Sequence, residues 1–283
     1  MNVFIKKVNT FAMREFFEHL DIDEMGEICP KGAPKLMSLS GKVGLYQMSG
    51  TSKDVYFVES KQDVVFRDEL MDNVIELISM ALKRIFIQQK VKKKELILVL
   101  GIGNEGLTAD SLGAKTLAHL NVTANAQKRV GKGNLCAFAP GVSGVTGIES
   151  FDIVKSLVDT LKPKLVICVD TLATTRVERL CKIVQLRNAG LTPGAGVGNA
   201  KNSFSYDTLG VPVVSIGVPL VIYAKNILLD SLKDSLKSTD HFQLGATIGD
   251  MVVTKKEVDL YVDTYAKLIA KAINRVVHGK IQG

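Results

Sequence analysis

Two aspartates, Asp110 and Asp170, are the residues whose type and position best fit catalytic chemistry. Each follows a short apolar run, within ELILVLGIGNEGLTADSLG (95–113) and PKLVICVDTLATT (163–175). Runs of this length and β-branched content predict buried parallel strands, and ligands of open α/β sheets bind beyond the carboxyl ends of such strands. Two close carboxyl groups there can share one proton, so that one accepts a proton from water while the other donates one.

Each aspartate also has a purely structural interpretation. Asp110 could be an acid in the first turn of a helix, where the helix dipole favours a negative charge. Asp170 could cap the turn between a strand and a helix. Their shared placement at strand ends is what favours the catalytic interpretation.

Other kinds of site lack the residues that they need. A Ser-His-Asp triad requires a histidine near a strand end, but none of the four histidines follows a predicted strand, and there is no GxSxG motif. Gly101, Gly103 and Gly106 satisfy GxGxxG, yet no acid closes a second strand at the distance of a dinucleotide site. No cysteine pair or His/Cys cluster has metal-ligand spacing. The sequence therefore predicts neither a metal nor a cofactor.

Strand and helix patterns alternate around the two aspartates. Apolar residues at helical spacing predict helices over residues 66–89 and 255–277, and shorter helices over 109–120, 148–161 and 221–232. Thr108 is the predicted N-cap of the helix that carries Asp110. Apolar runs predict strands over 96–100, 135–139, 165–169, 181–186 and 211–216, with Gly217 to Pro219 ending the last one.

This alternation predicts an α/β fold, a doubly wound and mostly parallel sheet flanked by helices. Strand-like segments at 42–48 and 55–59 predict a small N-terminal β-rich appendage. We therefore divide the chain into an appendage of mixed structure, residues 1–70, and an α/β domain, residues 71–283.

Composition argues against nucleic-acid and membrane partners. The net charge is +7, but the Lys and Arg residues are spread along the chain, and the densest run, KVKKK at 90–94, precedes a predicted strand. No window approaches the roughly 20 apolar residues that a membrane-spanning helix needs, and the N-terminus does not resemble a secretory signal. Four unpaired cysteines in 283 residues fit a reducing compartment, so a cytoplasmic protein is expected.

Several ordered motifs resemble those of the spore germination protease family. They are GNEGLTADSLGAK, APGVSGVTGIES, LVICVDTLATTRVERL, LTPGAGVGNAKNSFSYDTLGVPVVSIGVP and MVVTKKEVD, and together they cover roughly residues 95–275. The resemblance implies an atypical aspartic endopeptidase with a fold like that of the hydrogenase maturation proteases. It also implies small acid-soluble spore proteins as substrates, a homotetramer, and action in the cytoplasm of the spore or forespore.

The motifs that hold the family's two catalytic aspartates match Asp110 and Asp170, the same pair that the strand pattern selects. Which of them is the acid and which the base stays open. The residues around them suggest supporting roles. Asn104 and Thr108 are expected to hold the Asp110 loop, and Thr171, Thr174 and Arg176 to position Asp170 or bind substrate. Backbone N–H groups of the glycine-rich loop could stabilise an oxyanion, and its residues are Gly194, Gly196, Gly198 and Asn199.

Two other functions are compatible with the sequence. One is a maturation-type protease that senses a metal in its target, which predicts metal-dependent binding and a histidine near the site. The other is a non-catalytic paralogue that binds proteins. The resemblance implies synthesis as a zymogen whose propeptide ends near an RTDLA-like segment, and the first 30 residues contain no such segment.

Overall fold

The computed structural model describes residues 35–48, 54–125, 133–192, 203–231 and 251–279. Their strands are β1 (Lys35–Ser40), β2 (Val43–Met48), β3 (Val55–Ser60), β4 (Leu96–Gly101), β5 (Asn134–Phe138), β6 (Leu165–Thr174), β7 (Ile183–Arg187), β8 (Val213–Tyr223) and β9 (Val252–Val253). Their helices are α1 (Asp68–Gln88), α2 (Leu112–Leu117), α3 (Ser143–Thr146), α4 (Ser150–Leu161), α5 (Tyr206–Leu209), α6 (Ala224–Ser231) and α7 (Val258–His278). Two 3₁₀ turns span Thr108–Asp110 and Val177–Arg179.

All nine strands belong to one sheet, in the order β1-β2-β3-β7-β8-β6-β4-β5, with β9 added to the end of β8. Neighbours among β8, β6, β4 and β5 are parallel, and the remaining pairs are antiparallel. Strand β3 is antiparallel to β7, and β7 is antiparallel to β8, so β3 runs in the same direction as β8. The carboxyl ends of β3, β4, β5, β6 and β8 therefore lie at one edge of the sheet, which we call the carboxyl edge.

Helices cover both faces of the sheet, which confirms the predicted α/β architecture. On one face α1, α2 and α7 contribute to the larger apolar core, and the whole stripe predicted for α1, from Leu70 to Ile85, is buried there. On the other face Val154 and Val158 of α4 pack with Leu209 of α5. Because both faces are covered, the parallel strands are apolar along nearly their whole length, as in the five buried residues that begin β6.

Two strands run further than their apolar patterns indicate. The predicted ends of β6 at residue 169 and of β8 at Gly217 to Pro219 are wrong, because each strand continues by pairing with the other. The pairing reaches Thr174 opposite Ile222, with a bulge just after Leu172. A bulge beside Pro219 accommodates a residue that has no N–H group to donate to the sheet.

The helix predicted over residues 109–120 is shorter and begins later. The 3₁₀ turn precedes it, and Ser111 is the residue before α2, so the prediction of Thr108 as the N-cap is wrong. The carbonyl of Thr108 instead accepts hydrogen bonds from the Ser111 hydroxyl at 2.8 Å and from the Ser111 N–H group at 3.3 Å.

The N-terminal strands continue the main sheet, because β3 pairs with β7 from Val55 opposite Arg187 to Glu59 opposite Ile183. Strands β2 and β3 confirm the two segments predicted as strands in this region. The division of the chain into two domains at residue 70 stays a prediction.

A polar cluster fastens the carboxyl end of β3 to the start of α7. The Lys255 Nζ atom lies 3.1 Å from Oδ2 of Asp63 and 2.8 Å from the hydroxyl oxygen of Tyr261, and that hydroxyl also donates to Asp63. Burial alone would raise the pKa of Asp63, but the hydrogen bonds from Tyr261 and Lys255 outweigh it and hold that pKa below its ordinary value. Burial alone would lower the pKa of Lys255, but the bonds to Tyr261 and Asp63 raise it.

Candidate functional site

The site begins where α2 is pressed against the ends of β4 and β6. The Ile102 N–H group donates to the Val169 carbonyl at 2.8 Å, which extends the pairing of the two strands by one residue. A Cβ atom at Gly113 would lie 2.3 Å from the Ile102 oxygen and 2.5 Å from the Val169 oxygen. Only glycine allows the helix to approach this closely, so the start of α2 is held at the carboxyl edge.

The loop between β4 and α2 wraps around the Asp110 side chain. The Asn104 N–H group donates to Oδ2 of Asp110 at 2.6 Å, and Oδ1 of Asn104 accepts from the Gly106 N–H group at 2.9 Å. Gly103 has a φ of +102°, and a Cβ atom there would lie 2.1 Å from the Asp110 carbonyl oxygen. The glycine and the asparagine together fix this carboxyl group, and Gly103 does so through a backbone conformation that other residues rarely adopt.

Burial raises the pKa of Asp110. Desolvation raises the pKa of this half-buried carboxyl group, and the hydrogen bond from the Asn104 N–H group lowers it by less, so the net shift is upward. Repulsion from a second carboxylate, which the sequence suggested as the cause, is not what raises it. A raised pKa favours the protonated form of Asp110 more than that of an ordinary carboxyl group, as a general acid requires.

Asp170 lies inside β6 and is tied to the Asp110 segment through its neighbour. Oδ1 of Asp170 accepts from the Thr171 N–H group at 2.8 Å. The Thr171 hydroxyl donates to the carbonyl oxygen of Ala109, also at 2.8 Å. One side chain therefore joins the residue after Asp170 to the residue before Asp110, and the two aspartate segments meet at the carboxyl edge.

Two other predicted site residues lie at the end of β6 and just beyond it. The buried Thr174 hydroxyl bonds to the backbone of Arg176, with its N–H group 3.1 Å away and its carbonyl oxygen 3.2 Å away. Arg176 forms an exposed ion pair with Glu178 at 3.3 Å. These bonds hold the turn that follows β6. Thr174 lies four residues beyond Asp170 along the strand, a distance of roughly 13 Å, and is therefore not part of the cluster around Asp170.

Thr108 is exposed and meets the site only through its backbone, in the 3₁₀ turn that leads to Asp110. The predicted loop residues Gly194, Gly196, Gly198 and Asn199 lie outside the described part of the chain.

Two residues that sequence reasoning missed share a sheet face with Asp170. Gly217 of β8 lies opposite Asp170, and Gln185 of β7 lies opposite Gly217. A Cβ atom at Gly217 would come within 2.5 Å of Cγ of Leu172, so glycine makes room for that side chain. Gln185 is a polar residue within the apolar run IVQL, and this was the feature of the sequence that could have pointed to it. Its place beside the site, however, depends on strand register.

The described residues contain no group of three or more His, Cys, Asp or Glu side chains that could hold a metal ion. The GxGxxG loop is not shaped for a dinucleotide, because its N–H groups at Asn104 and Gly106 bind the loop's own side chains and α2 begins only at Leu112. In the same described ranges, no helix is long and apolar enough to cross a membrane.

Comparison with known proteins matches the sequence to one family. A sequence profile described as "Germination protease" matches residues 46–243, or 198 of the 283 residues. The chain belongs to the germination protease family. The germination protease of Clostridium acetobutylicum is 33% identical over 241 residues, which cover 74% of each chain. That of Clostridium perfringens is 34% identical over 236 residues, covering 72% of each chain.

A germination protease from Bacillus subtilis is 29% identical over 297 residues, covering 83% of this chain and 81% of the relative. Asp110 and Asp170 both fall within the matched region. Membership of the germination protease family identifies the chain as a peptidase that acts in germination.

Proposed function

We propose that this protein hydrolyses peptide bonds of small acid-soluble spore proteins during spore germination, with Asp110 and Asp170 as its two catalytic carboxyl groups. The observation that carries the proposal is the hydrogen bond from Thr171 to Ala109, which joins the segments of the two aspartates. Family membership supports the peptidase activity. The substrate class follows from the resemblance of the ordered motifs to the family.

The two carboxyl groups take different roles in this proposal. Asp110 acts as the acid, a role that the upward shift of its pKa favours, and Asp170 acts as the base. Asp170 removes a proton from water as the water oxygen adds to the carbonyl carbon of the substrate. Asp110 then gives its proton to the amide nitrogen as the C–N bond breaks. Transfer of the proton from Asp170 to Asp110 through water restores the starting state.

The proposal also includes assembly, location and control. We propose a homotetramer that acts in the cytoplasm of the spore and binds neither nucleic acid nor membrane directly, and limited proteolysis decides whether it is made as a zymogen. Light scattering of the purified protein tests the assembly, and any mass other than that of four chains would contradict it.

The catalytic assignment is tested by incubating a purified small acid-soluble spore protein with the enzyme and with the Asp110→Asn and Asp170→Asn variants. The protein is assayed before and after limited proteolysis, so that a zymogen is not mistaken for an inactive chain. We expect each variant to lose at least about 100-fold in kcat/KM, because each removes one proton-transfer group. Wild-type turnover by either variant would refute the two-aspartate mechanism.

The same assay separates the two other functions. Loss of cleavage on metal chelation, restored by added metal, would favour a metal-sensing maturation-type protease. Binding of the spore protein without any turnover, before or after proteolysis, would favour a non-catalytic paralogue.

A further inference from the structure

One buried polar atom beside the site has no hydrogen-bond partner among the described residues. Gln185 is 5% exposed, and its Oε1 atom accepts no hydrogen bond in the part of the chain that the structure describes. A buried amide oxygen without a donor destabilises the folded protein, and such atoms in native structures call for an explanation. The oxygen is enclosed as well as unpaired, so a ligand that displaces a neighbouring side chain can supply the donor that the described residues lack.

Strand register places this oxygen relative to Asp170. Gln185, Gly217 and Asp170 lie directly opposite one another on three adjacent strands, so their side chains share one face of the sheet. Two strand spacings separate the outer pair, roughly 10 Å between Cα atoms. Gly217 contributes no side chain between them, and the half-buried Leu172 covers it. An apolar surface therefore lies between the carboxyl group and the amide.

The chemistry of this row fits a peptide. A neutral carboxamide oxygen accepts from N–H or O–H donors and offers no charge to pair with an ion. A peptide presents one N–H group per residue and advances about 3.3 Å per residue when extended. If the scissile bond of the peptide lies at Asp170, the peptide residue about three positions further along lies at Gln185. A peptide side chain between these two points would contact Leu172.

We propose that Gln185 is a substrate-positioning residue, whose Oε1 accepts a hydrogen bond from a backbone N–H group of the peptide about three residues from the scissile bond. The inference rests on the proposed peptidase function and adds to it a contact made away from the reacting atoms. No described residue donates to this oxygen, so substrate binding supplies the missing donor.

The test is the Gln185→Met variant, which keeps an unbranched side chain of similar length and removes the amide. We expect KM to rise about 3- to 10-fold with kcat changed less than about 2-fold, because a contact held equally in the bound and transition states is lost. Thermal stability should stay equal or increase, because the variant removes an unsatisfied buried acceptor. If Gln185→Met does not fold, Gln185→Asn withdraws the oxygen by one methylene and should raise KM as well.

Gln47→Met is the matched control. The Nε2 atom of Gln47 donates to Oδ1 of Asp54 at 3.0 Å in β2, so this variant should lower stability and leave KM unchanged, which is the opposite pattern. A Gln185→Met protein with unchanged KM, whatever its stability, would overturn the inference. The oxygen would then be satisfied by water and not by the substrate.

Two substrates keep failure of the inference separate from failure of the proposed function. Denatured casein is assayed beside the small acid-soluble spore protein. If only casein is cleaved, the substrate class is wrong and the KM of Gln185→Met is read on casein. If neither is cleaved, the peptidase function fails and the inference fails with it. If either is cleaved equally well by Gln185→Met, the inference alone is wrong.

Discussion

Replacing Gly103 with alanine should disable the site by moving Asp110, although Gly103 itself has no group that could take part in catalysis. The φ of +102° costs a residue with a side chain about 1–3 kcal/mol. The added Cβ atom would lie 2.1 Å from the Asp110 carbonyl oxygen, whereas real Cβ contacts essentially never fall below 3.0 Å. The Asp110 backbone must therefore move by about 1 Å, a displacement that can cost an enzyme on the order of 100-fold in rate.

Strain and clash together predict a loss of about 2–4 kcal/mol in the free energy of unfolding. For a chain of this size that corresponds to a Tm lower by roughly 5–15 °C. Differential scanning calorimetry measures the Tm, and kcat/KM on the spore protein measures the displacement of Asp110. The two effects need not be of equal size, because local movement of a loop can impair catalysis more than it destabilises the fold.

Two alanine variants serve as controls for Gly103→Ala. Gly106 lies in the same loop, and a Cβ atom there would meet only Oδ1 of Asn104, at 3.2 Å, so Gly106→Ala should stay within about 1 kcal/mol of wild type. Gly147 has a φ of +70° with open space around it, so Gly147→Ala isolates the backbone cost. Wild-type Tm and kcat/KM in Gly103→Ala would refute the argument that this glycine fixes Asp110.

Three further predictions concern single side chains. Thr171→Val, which removes the bond to Ala109, should lower kcat/KM about 10-fold and stability by about 1 kcal/mol. Lys255→Met should cost about 1–2 kcal/mol near pH 7 and less near pH 3. The pKa of Asp63 is lower in the folded state than its ordinary value of 3.8. The ionised Asp63 therefore stabilises the folded protein above pH 3.8, and this stabilisation is lost as the pH falls through the pKa of the folded state. Asp110→Asn should raise stability near neutral pH, because a raised pKa makes the ionised carboxyl unfavourable in the folded protein, and this gain should vanish below pH 3.8.

Each of these predictions has a control. Thr160→Val removes an exposed helical hydroxyl, and Lys155→Met removes an exposed ion pair with Asp159, so both should change stability by less than about 0.5 kcal/mol. Asp159→Asn should show no gain in stability near neutral pH. Chemical denaturation at both pH values measures all of these differences. If Lys255→Met lost equal stability near pH 3 and pH 7, the pH dependence inferred from the lowered pKa of Asp63 would be wrong. If Asp110→Asn were less stable than wild type near neutral pH, the inference that burial disfavours the ionised Asp110 would be wrong.

The fold was largely predictable because its strongest signals are local. The apolar stripe of α1 and the runs of β4 and β6 mark elements that are covered by others, and the alternation of strands and helices implies a sheet with helices on both faces. The edge at which the two aspartates lie follows from the direction of parallel strands. No property of distant residues is needed for these inferences.

What could not be predicted depends on contacts between distant parts of the chain. The segment DTLAT has the polar composition of a turn, yet it is strand because β8 pairs with it from about 47 positions away. The place of Gln185 beside Asp170 requires the registers of both β6 with β8 and β7 with β8. The positive φ of Gly103 is a property of the folded loop, which the three glycines of a weak GxGxxG match do not reveal.

The pairing of β3 with β7 affects how the chain folds while it is being synthesised. Val55 pairs with Arg187, which leaves the ribosome 132 residues later. At about 5–20 residues per second, the β3 edge of the β1–β3 meander stays open for roughly 7–26 s. An open strand edge can pair with the same edge of another nascent chain, and several ribosomes on one messenger bring such chains together. Overexpression yield should therefore depend on how well chaperones shield this meander until β7 emerges.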